Sequence, residues 1–442
     1  MEVKVAKFGG SSVADAIQLR KVKEIVESDP QRRYVVVSAP GKRFEEDSKL
    51  TDLLYLCKTH IEHNVPFHQV FQVIWDRFKI IVMNLGLQLD IDPYFEEIRD
   101  HLQKGVTNDY IASRGEFLCA VIMANYLGYD FVDPSGIILF SENGKFLPKE
   151  TDQALREELL KHEKAVIPGF YGTRTDGSVK TFSRGGSDIT GALVARAVGA
   201  KVYENWTDVS GLLKADPRIV KNAQTIDRVT YKELRELSYM GATVLHDEAV
   251  FPVREADIPI NIRNTNDPGH PGTIIVSEEE ARENRGVITG IAGRKDFTVI
   301  GIYKNNMNSE VGFIKRVLSI LENYNVSIEH LPSGIDTVSV VIATKALEGI
   351  LDDIVEDIYR KLGADTVDVH QNMSLIATVG HGMTRRMGVA AKLFTALASN
   401  GVNIRMIDQG SSEMNIIVGV ENEDFETAIK AIYEAFVEKP QE

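Results

Sequence analysis

Three short stretches carry side chains whose types and spacing suit phosphoryl-group chemistry. The first is Lys7-Phe8-Gly9-Gly10-Ser11-Ser12, where a cation stands just ahead of a glycine pair and two hydroxyls. Glycines let an anion approach backbone N–H groups, the start of a following helix favours negative charge, and Lys7 adds a full positive charge, so the stretch suits a triphosphate. A Gly-Gly turn is also ordinary punctuation between strand and helix, and the chain contains no Gly-x-x-x-x-Gly-Lys-Ser/Thr loop. The second stretch is Ser183-Arg184-Gly185-Gly186-Ser187-Asp188. The planar fork of Arg184 suits a carboxylate, and Asp188 can hold an ammonium or organise a lysine. An amino acid carries both groups, although an Arg–Asp pair capping a helix would read the same. The third is Thr207-Asp208 followed by Asp216-Pro217-Arg218. It could read the base or ribose of a nucleotide and meet its phosphates, or simply form an Asp-Pro turn. One further candidate stands alone. Glu116 lies in an otherwise apolar helical stretch and needs a cation there, from within the protein or from a ligand, because burying a carboxylate unpaired costs several kcal/mol.

These groups can converge only if the elements carrying them form an α/β sheet with the strand ends on one side. The alternating run Val3 to Phe8, then the helical spacing of Ile17, Val22, Ile25 and Val26, predicts strand, glycine loop and helix. Tyr34 to Ala39, closed by Pro40-Gly41, predicts a buried strand and puts Ser38 at its carboxyl end, where α/β sheets bind ligands. The polar segment 42–49 reads as a lid or a solvated loop before a helix resumes at Leu50-Thr51-Asp52-Leu53-Leu54. From His60 to Leu127 the pattern is helical, and the stripe Phe67, Phe71, Ile74, Trp75, Phe78 reads as core. Further on, a strand from Ala165 ends in glycine turns, a helix covers Gly191 to Val198, and a strand covers Lys201 to Glu204.

The whole chain has 442 residues, 43% apolar and 26% charged, enough for two to four domains. A net charge of −14 with both signs interspersed disfavours nucleic acid and anionic membranes as partners. Cys57 and Cys119 offer neither a disulfide framework nor metal-ligand spacing and read as core thiols. With no signal peptide and no run of roughly 20 apolar residues, a cytoplasmic protein is expected. A polar stretch from Ser277 to Arg285 marks a domain boundary near residue 285. Beyond it lies a repeat: at an offset of 76 residues (388 − 312) Gly312 falls on Gly388, Met307 on Met383, Val326-Ser327-Ile328 on Val402-Asn403-Ile404, and Val340 on Ile416. Each copy reads as a βαββαβ unit, so a duplicated domain is expected. Gly380-His381-Gly382 has Lys304-Asn305-Asn306 as its mate and reads as a turn of the unit.

Taken in order, these motifs resemble those of the aspartokinases, members of the amino-acid kinase family that phosphorylate the side-chain carboxylate of aspartate with MgATP. The resemblance rests on Lys7 to Ser12, the Arg-Gly-Glu context of Glu116, Arg184 to Asp188, Thr207-Asp208-Val209, Asp216-Pro217-Arg218 and the repeat, and it covers nearly the whole chain. It implies an α/β amino-acid kinase fold, a three-layer αβα sandwich over 1–285, followed by two ferredoxin-like ACT modules at 297–370 and 371–442. A strand within 286–296 would be lent to the second module. Lys7 and Asp188 would be catalytic; Ser38, Thr51, Glu116, Arg184 and Ser187 would bind L-aspartate, with Glu116 on its α-ammonium. Lys7, Gly9, Gly10, Ser11, Thr207, Asp208 and Arg218 would bind ATP with Mg²⁺, and no residue is assigned as a metal ligand. A feedback amino acid, lysine or in the competing reading threonine, would bind the first ACT module at Met307, Phe313, Ser327, Ile328 and Glu329, whose repeat mate is Arg405. The modules would pair across a homodimer.

The sequence departs from the family pattern at Leu213, where some relatives have tyrosine, and at Asn266, where some have a phosphate-side lysine. The chain ends inside the second module, so a monofunctional enzyme is expected, without a fused dehydrogenase. Two rivals stand beside this reading. One is a kinase for glutamate, acetylglutamate or a nucleoside monophosphate; the other is an amino-acid sensor with a degenerate kinase domain.

Overall fold

The computed structural model describes residues 2–183, 185–242, 245, 247–279 and 286–438. It resolves into two compact units. The first comprises Met1–Leu212, Thr225–Tyr231 and Val244–Arg282; the second comprises Leu213–Gln224, Lys232–Thr243 and Glu283–Glu442.

The first unit is built on an eight-stranded sheet in the order Asp130–Phe131, Ala165–Pro168, Arg32–Val37, Lys4–Phe8, Val202–Thr207, Ile260–Asn264, Thr273–Val276, Arg228–Thr230. Neighbours run parallel except for Ile260–Asn264 against Thr273–Val276. Lys4–Phe8 is therefore central, and both of its neighbours point their carboxyl ends the same way. Side chains alternate across the sheet. Ala6, Phe8, Val35 and Val37 enter one core with helices Ala16–Glu27, Leu50–Glu62, His68–Leu85, Asp92–Lys104 and Asn108–Leu127. On the other face helix Gly186–Ala197 packs on the central strands, flanked by Pro148–Leu159 and Asp247–Glu255. These are the three αβα layers. The aromatic stripe is core as expected, with Trp75 stacked on Phe95 at 5.2 Å. Among the described residues no helix is long and apolar enough to cross a membrane.

Segment 42–49 is a solvated loop with one anchor. Asp47 is buried and takes a bidentate contact from Arg43, while buried Arg77 hydrogen-bonds Gly41 and Ser48 carbonyls. The Arg43 hydrogen bonds hold the Asp47 carboxyl well below the usual carboxylate range.

The second unit is organised by two long antiparallel strands, Gly290–Tyr303 and Thr366–Val379, in a five-stranded sheet ordered Thr337–Ala343, Gly290–Tyr303, Thr366–Val379, Asn415–Glu421, Met406–Asp408. Gly290–Arg294 pairs with Leu375–Val379, and Phe297–Tyr303 pairs with both Thr337–Ala343 and 366–373. Each long strand thus serves both copies of the repeat. Helices Phe313–Asn323 and Val389–Ser399 stand at the expected offset of 76, each entered through a left-handed glycine, Gly312 or Gly388. The offset is not kept throughout. Val340 lies opposite Ile300 and Val418 opposite Ile376, so the mate of Val340 is Val418 at an offset of 78 (418 − 340), not Ile416. Two extra residues in the hairpin of the second copy preserve which face each side chain occupies. Segment Leu213–Gln224 belongs here because Ala215, Ile219 and Val220 pack into the second copy's core.

Candidate active site

The site lies at the carboxyl ends of Lys4–Phe8, Arg32–Val37 and Val202–Thr207. Lys7 is the last residue of the central strand to face helix Gly186–Ala197, and it is 7% exposed. Its Nζ lies 2.5 Å from Asp188 Oδ1. Asn205, directly beside Lys7 in register, donates from Nδ2 to Asp188 Oδ1 at 2.9 Å, and its Oδ1 accepts from Lys7 Nζ at 3.5 Å. A cation and a carboxylate are thus brought together by two motifs far apart in the chain, with an amide between them.

The glycine loop differs from a strand running straight into a helix. Gly10–Val13 forms a 3₁₀ turn, and the α-helix begins only at Ala16, its end capped by Asp15 accepting from the Gln18 N–H at 2.9 Å. A carboxylate at the cap competes with any other anion for that helix terminus. The backbone N–H groups open to a phosphate are therefore those of the partly exposed Gly10 and Ser11, the Gly9 N–H being taken by the Trp206 carbonyl at 2.9 Å. The loop is pressed against its neighbour: Gly41 N–H donates to the Gly10 carbonyl at 2.8 Å, and a side chain at Gly41 would put Cβ 2.6 Å from the Gly10 carbonyl carbon. The Ser38 N–H donates to the Phe8 carbonyl at 3.1 Å, which places Ser38 beside this loop.

Glu116 projects from helix Asn108–Leu127, most of whose residues are buried. Among the described residues it forms no internal salt bridge. Its Oε2 has no hydrogen-bond partner, and the nearby Arg114 instead spreads over the rings of Tyr110, Phe117 and Tyr171 at 4.6 to 5.4 Å. Burial pushes the Glu116 carboxyl up to about 8, against a smaller opposing pull from a backbone hydrogen bond at Ala39. An orphaned buried carboxyl of this kind is a candidate for a ligand site.

The other expected residues are placed as follows. Ser187 is buried in the first turn of its helix, against Gly169. Beside it Phe170 adopts φ +82°, with its N–H donating to Thr190 Oγ1 at 3.0 Å. A bulky residue in the left-handed region signals a constrained position. A cavity of about 370 Å³ opens here, lined by Tyr55, Phe170, Lys180, Phe182 and Ser183 among others. Thr51 is half-buried in the first turn of Leu50–Glu62. Arg184 lies outside the described residues. Thr207 donates to Asp208 at 3.2 Å near the strand end, both reachable from solvent. Arg218 is in the second unit, 88% exposed and paired with Asp216 at 2.6 Å. Asn266 is not without a cation, since Lys21 Nζ donates to its Oδ1 at 2.8 Å.

In the second unit Met307 sits buried in a 3₁₀ turn and Phe313 is core, while Ser327 is exposed and Ile328 half-buried. Glu329 is already engaged: Tyr239 donates to its Oε2 at 2.5 Å, and Arg294 lies 3.8 Å from its Oε1.

Comparison with known proteins follows the same outline. Residues 2–264 match the model of the amino acid kinase family and 376–436 that of the ACT domain. Aspartokinase 3 of Bacillus subtilis is 39% identical over 98% of both chains. The crystal structure of Clostridium acetobutylicum aspartate kinase is 54% identical and superposes with a TM-score of 0.92, covering 99% of this chain and 100% of that one. Escherichia coli aspartokinase III, 25% identical, has been solved with aspartate and ADP in an R state (TM-score 0.72, covering 98% and 99%). It has also been solved with lysine and aspartate in a T state (TM-score 0.75, covering 99% and 100%).

Proposed function

This chain belongs to the aspartokinases of the amino acid kinase family, and from that premise we infer how its residues transfer the γ-phosphoryl group of ATP to the side-chain carboxylate of L-aspartate. The products are 4-phospho-L-aspartate and ADP. Two anions must be brought together, so catalysis is mainly positioning and neutralisation of charge. No general base is needed, because the acceptor carboxylate is ionised at neutral pH.

The observation that carries the residue assignment is the Glu116 carboxyl, buried and unpartnered at Oε2. It lacks the cation that the α-ammonium of an amino acid would bring. Arg184 would take the α-carboxylate, with Ser38, Thr51 and Ser187 completing that end. Lys7 and the Gly10 and Ser11 backbone N–H groups would hold the phosphates, with side-chain-free Gly9 allowing their approach and Asp188 setting the position of Lys7. Thr207 and Asp208 would meet the nucleoside, and Arg218 is assigned to the phosphates on its motif alone. Lys21, brought to Asn266, supplies a cation where some relatives carry a lysine. Among the described residues no group of three His, Cys, Asp or Glu side chains could hold a metal. MgATP is the proposed substrate, its Mg²⁺ arriving on the triphosphate and keeping much of its water.

Lysine is the proposed feedback ligand, at Met307, Ser327, Ile328 and Glu329 with Phe313 shaping the site from the core; threonine is the second reading. Pathway placement follows from the product, an activated aspartate on the way to lysine, threonine and methionine.

The test is ADP release with a panel of acceptors. Aspartate should support turnover, while glutamate and acetylglutamate should not. Lys7→Ala should lower kcat by on the order of 10² or more with the fold intact. Turnover of the variant close to wild type would overturn the catalytic role of Lys7, and absence of any aspartate-dependent turnover in wild type would leave an amino-acid sensor.

A further inference from the structure

We propose that Asn205 is a positioning residue of the phosphoryl-transfer site, holding the Asp188 carboxylate so that Lys7 is free to leave it for the incoming triphosphate. The proposal rests on the assignment of Lys7 and Asp188 above.

The geometry is set by strand Val202–Thr207. Glu204 and Trp206 point to one face of the sheet, where Glu204 takes a bidentate contact from Arg32 at 2.6 and 3.1 Å and a third from Trp206 Nε1 at 2.9 Å. Tyr203 and Asn205 point to the other face, and both grip Asp188. The Tyr203 hydroxyl donates to the Asp188 backbone carbonyl at 3.1 Å. Asn205 Nδ2 donates to its carboxylate at 2.9 Å. That approach is possible because residue 191 is glycine: a Cβ there would stand 2.5 Å from the Tyr203 hydroxyl oxygen. One strand therefore fixes Asp188 at two points, main chain and side chain, and Asn205 is only 4% exposed. Such an investment is unneeded for a simple Lys–Asp ion pair.

Its use follows from charge. A lysine held on the half-buried Asp188 carboxylate is neutralised and unavailable to phosphate. When Lys7 turns to the triphosphate, Asp188 would be left short of a partner and would pull it back. The Asn205 amide donor stays with Asp188 through that exchange, and its carbonyl oxygen keeps a second, weaker acceptor beside Nζ. An amide does both without adding charge, which a carboxylate or a lysine at 205 could not do. Among the described residues, the charged and titratable groups facing Asn205 are Lys7 from Lys4–Phe8 and Asp188 from Gly186–Ala197, with the Tyr203 phenol on its own strand.

Two substitutions test this. Asn205→Leu should lower kcat by about tenfold or more while leaving the KM for aspartate and the melting temperature near wild type. Asn205→Asp places two carboxyls beside one ammonium, so the introduced group titrates above its ordinary range. While protonated it is a neutral donor like the amide, and once ionised it clamps Lys7. The kcat of Asn205→Asp should therefore be closest to wild type at the acid end and fall as pH rises, a profile that a merely structural role would not produce and that remains readable if the leucine variant fails to fold. A kcat within about twofold of wild type for Asn205→Leu, or an Asn205→Asp profile that superimposes on wild type, overturns the proposal. If Lys7→Ala is itself silent, the site assignment has failed; if Lys7→Ala abolishes turnover and the Asn205 variants are silent, only the positioning role has.

Discussion

Glu116 stays protonated at pH values where carboxyls are usually long since deprotonated. Its ordinary value is 4.5 and burial pushes it up to about 8. Below 4.5 the folded and unfolded chains both hold the proton. Between 4.5 and 8 the unfolded chain has lost a proton that the folded chain keeps, so stability declines as pH rises through that window and levels off above it. Glu116→Gln should remove this decline, a gain on the order of a few kcal/mol at alkaline pH, read from denaturant melts across pH. The same displacement predicts that aspartate binding near pH 7 expels roughly one proton, because an ammonium needs the ionised form. Calorimetry in buffers of different ionisation heat should detect that proton in wild type and lose it in Glu116→Gln; equal release by both would remove Glu116 from the ammonium site. Lys7, Glu116 and Asp188 were legible in the sequence because each stands out against glycines or an apolar helix. Asn205 was not, since it lies inside a strand that the pattern ended at Glu204. The available signal was two consecutive polar residues in a buried strand, each of which must find a partner, as Glu204 does in Arg32 and Asn205 in Asp188.

At the scale of elements, the Lys232–Tyr239 part of helix Tyr231–Tyr239, within the second unit, makes polar contacts with both modules. Buried Glu233 accepts from Thr289 Oγ1 at 2.7 Å and from the His381 N–H at 2.8 Å; Glu236 accepts from Asn415 at 2.7 Å. At its end Tyr239 donates to Glu329, whose charge pushes the phenol up to about 12. A ligand ammonium arriving at Glu329 must therefore displace or share that hydroxyl. Tyr239→Phe should lower the lysine concentration that inhibits by about tenfold, the worth of a hydrogen bond to a charged group, whereas Glu329→Ala should raise it by at least about tenfold with uninhibited activity preserved. Activity titrated against lysine reads both. An unchanged midpoint in both variants would move the effector site elsewhere and make threonine the next ligand to titrate. No periodicity announces this helix as part of the second unit; its amphipathic pattern is that of any surface helix, and the inward-facing Glu233 carboxylate is seen only in the fold.

Over the whole molecule, the sequence conveyed architecture better than connectivity. Glycine-closed strands and a 76-residue repeat exposed an α/β sheet followed by a duplication. The sequence reads as a strand within 286–296 followed by a module from 297, yet the chain passes from one to the other in a single strand, Gly290–Tyr303, with a local shift in register and Asp296 at φ +67°. Surface chemistry extends the repeat outward. Val311 and Met387, at equivalent positions before the two helix-starting glycines, are 95% and 97% exposed. Paired apolar side chains of that kind suit the module-to-module homodimer we propose. Light scattering of Val311→Asp with Met387→Asp should show a loss of dimer; an unchanged mass would place the subunit contact on another face. The shared long strands also dictate an order of assembly on the ribosome. Gly290–Arg294 is translated before the whole first module, while its partners in the second, Leu375–Val379, come after it. The first module can close as it emerges, but the second must wait, its opening strand an unpaired edge of the sort chaperones recognise, until the end of the chain folds back across its neighbour.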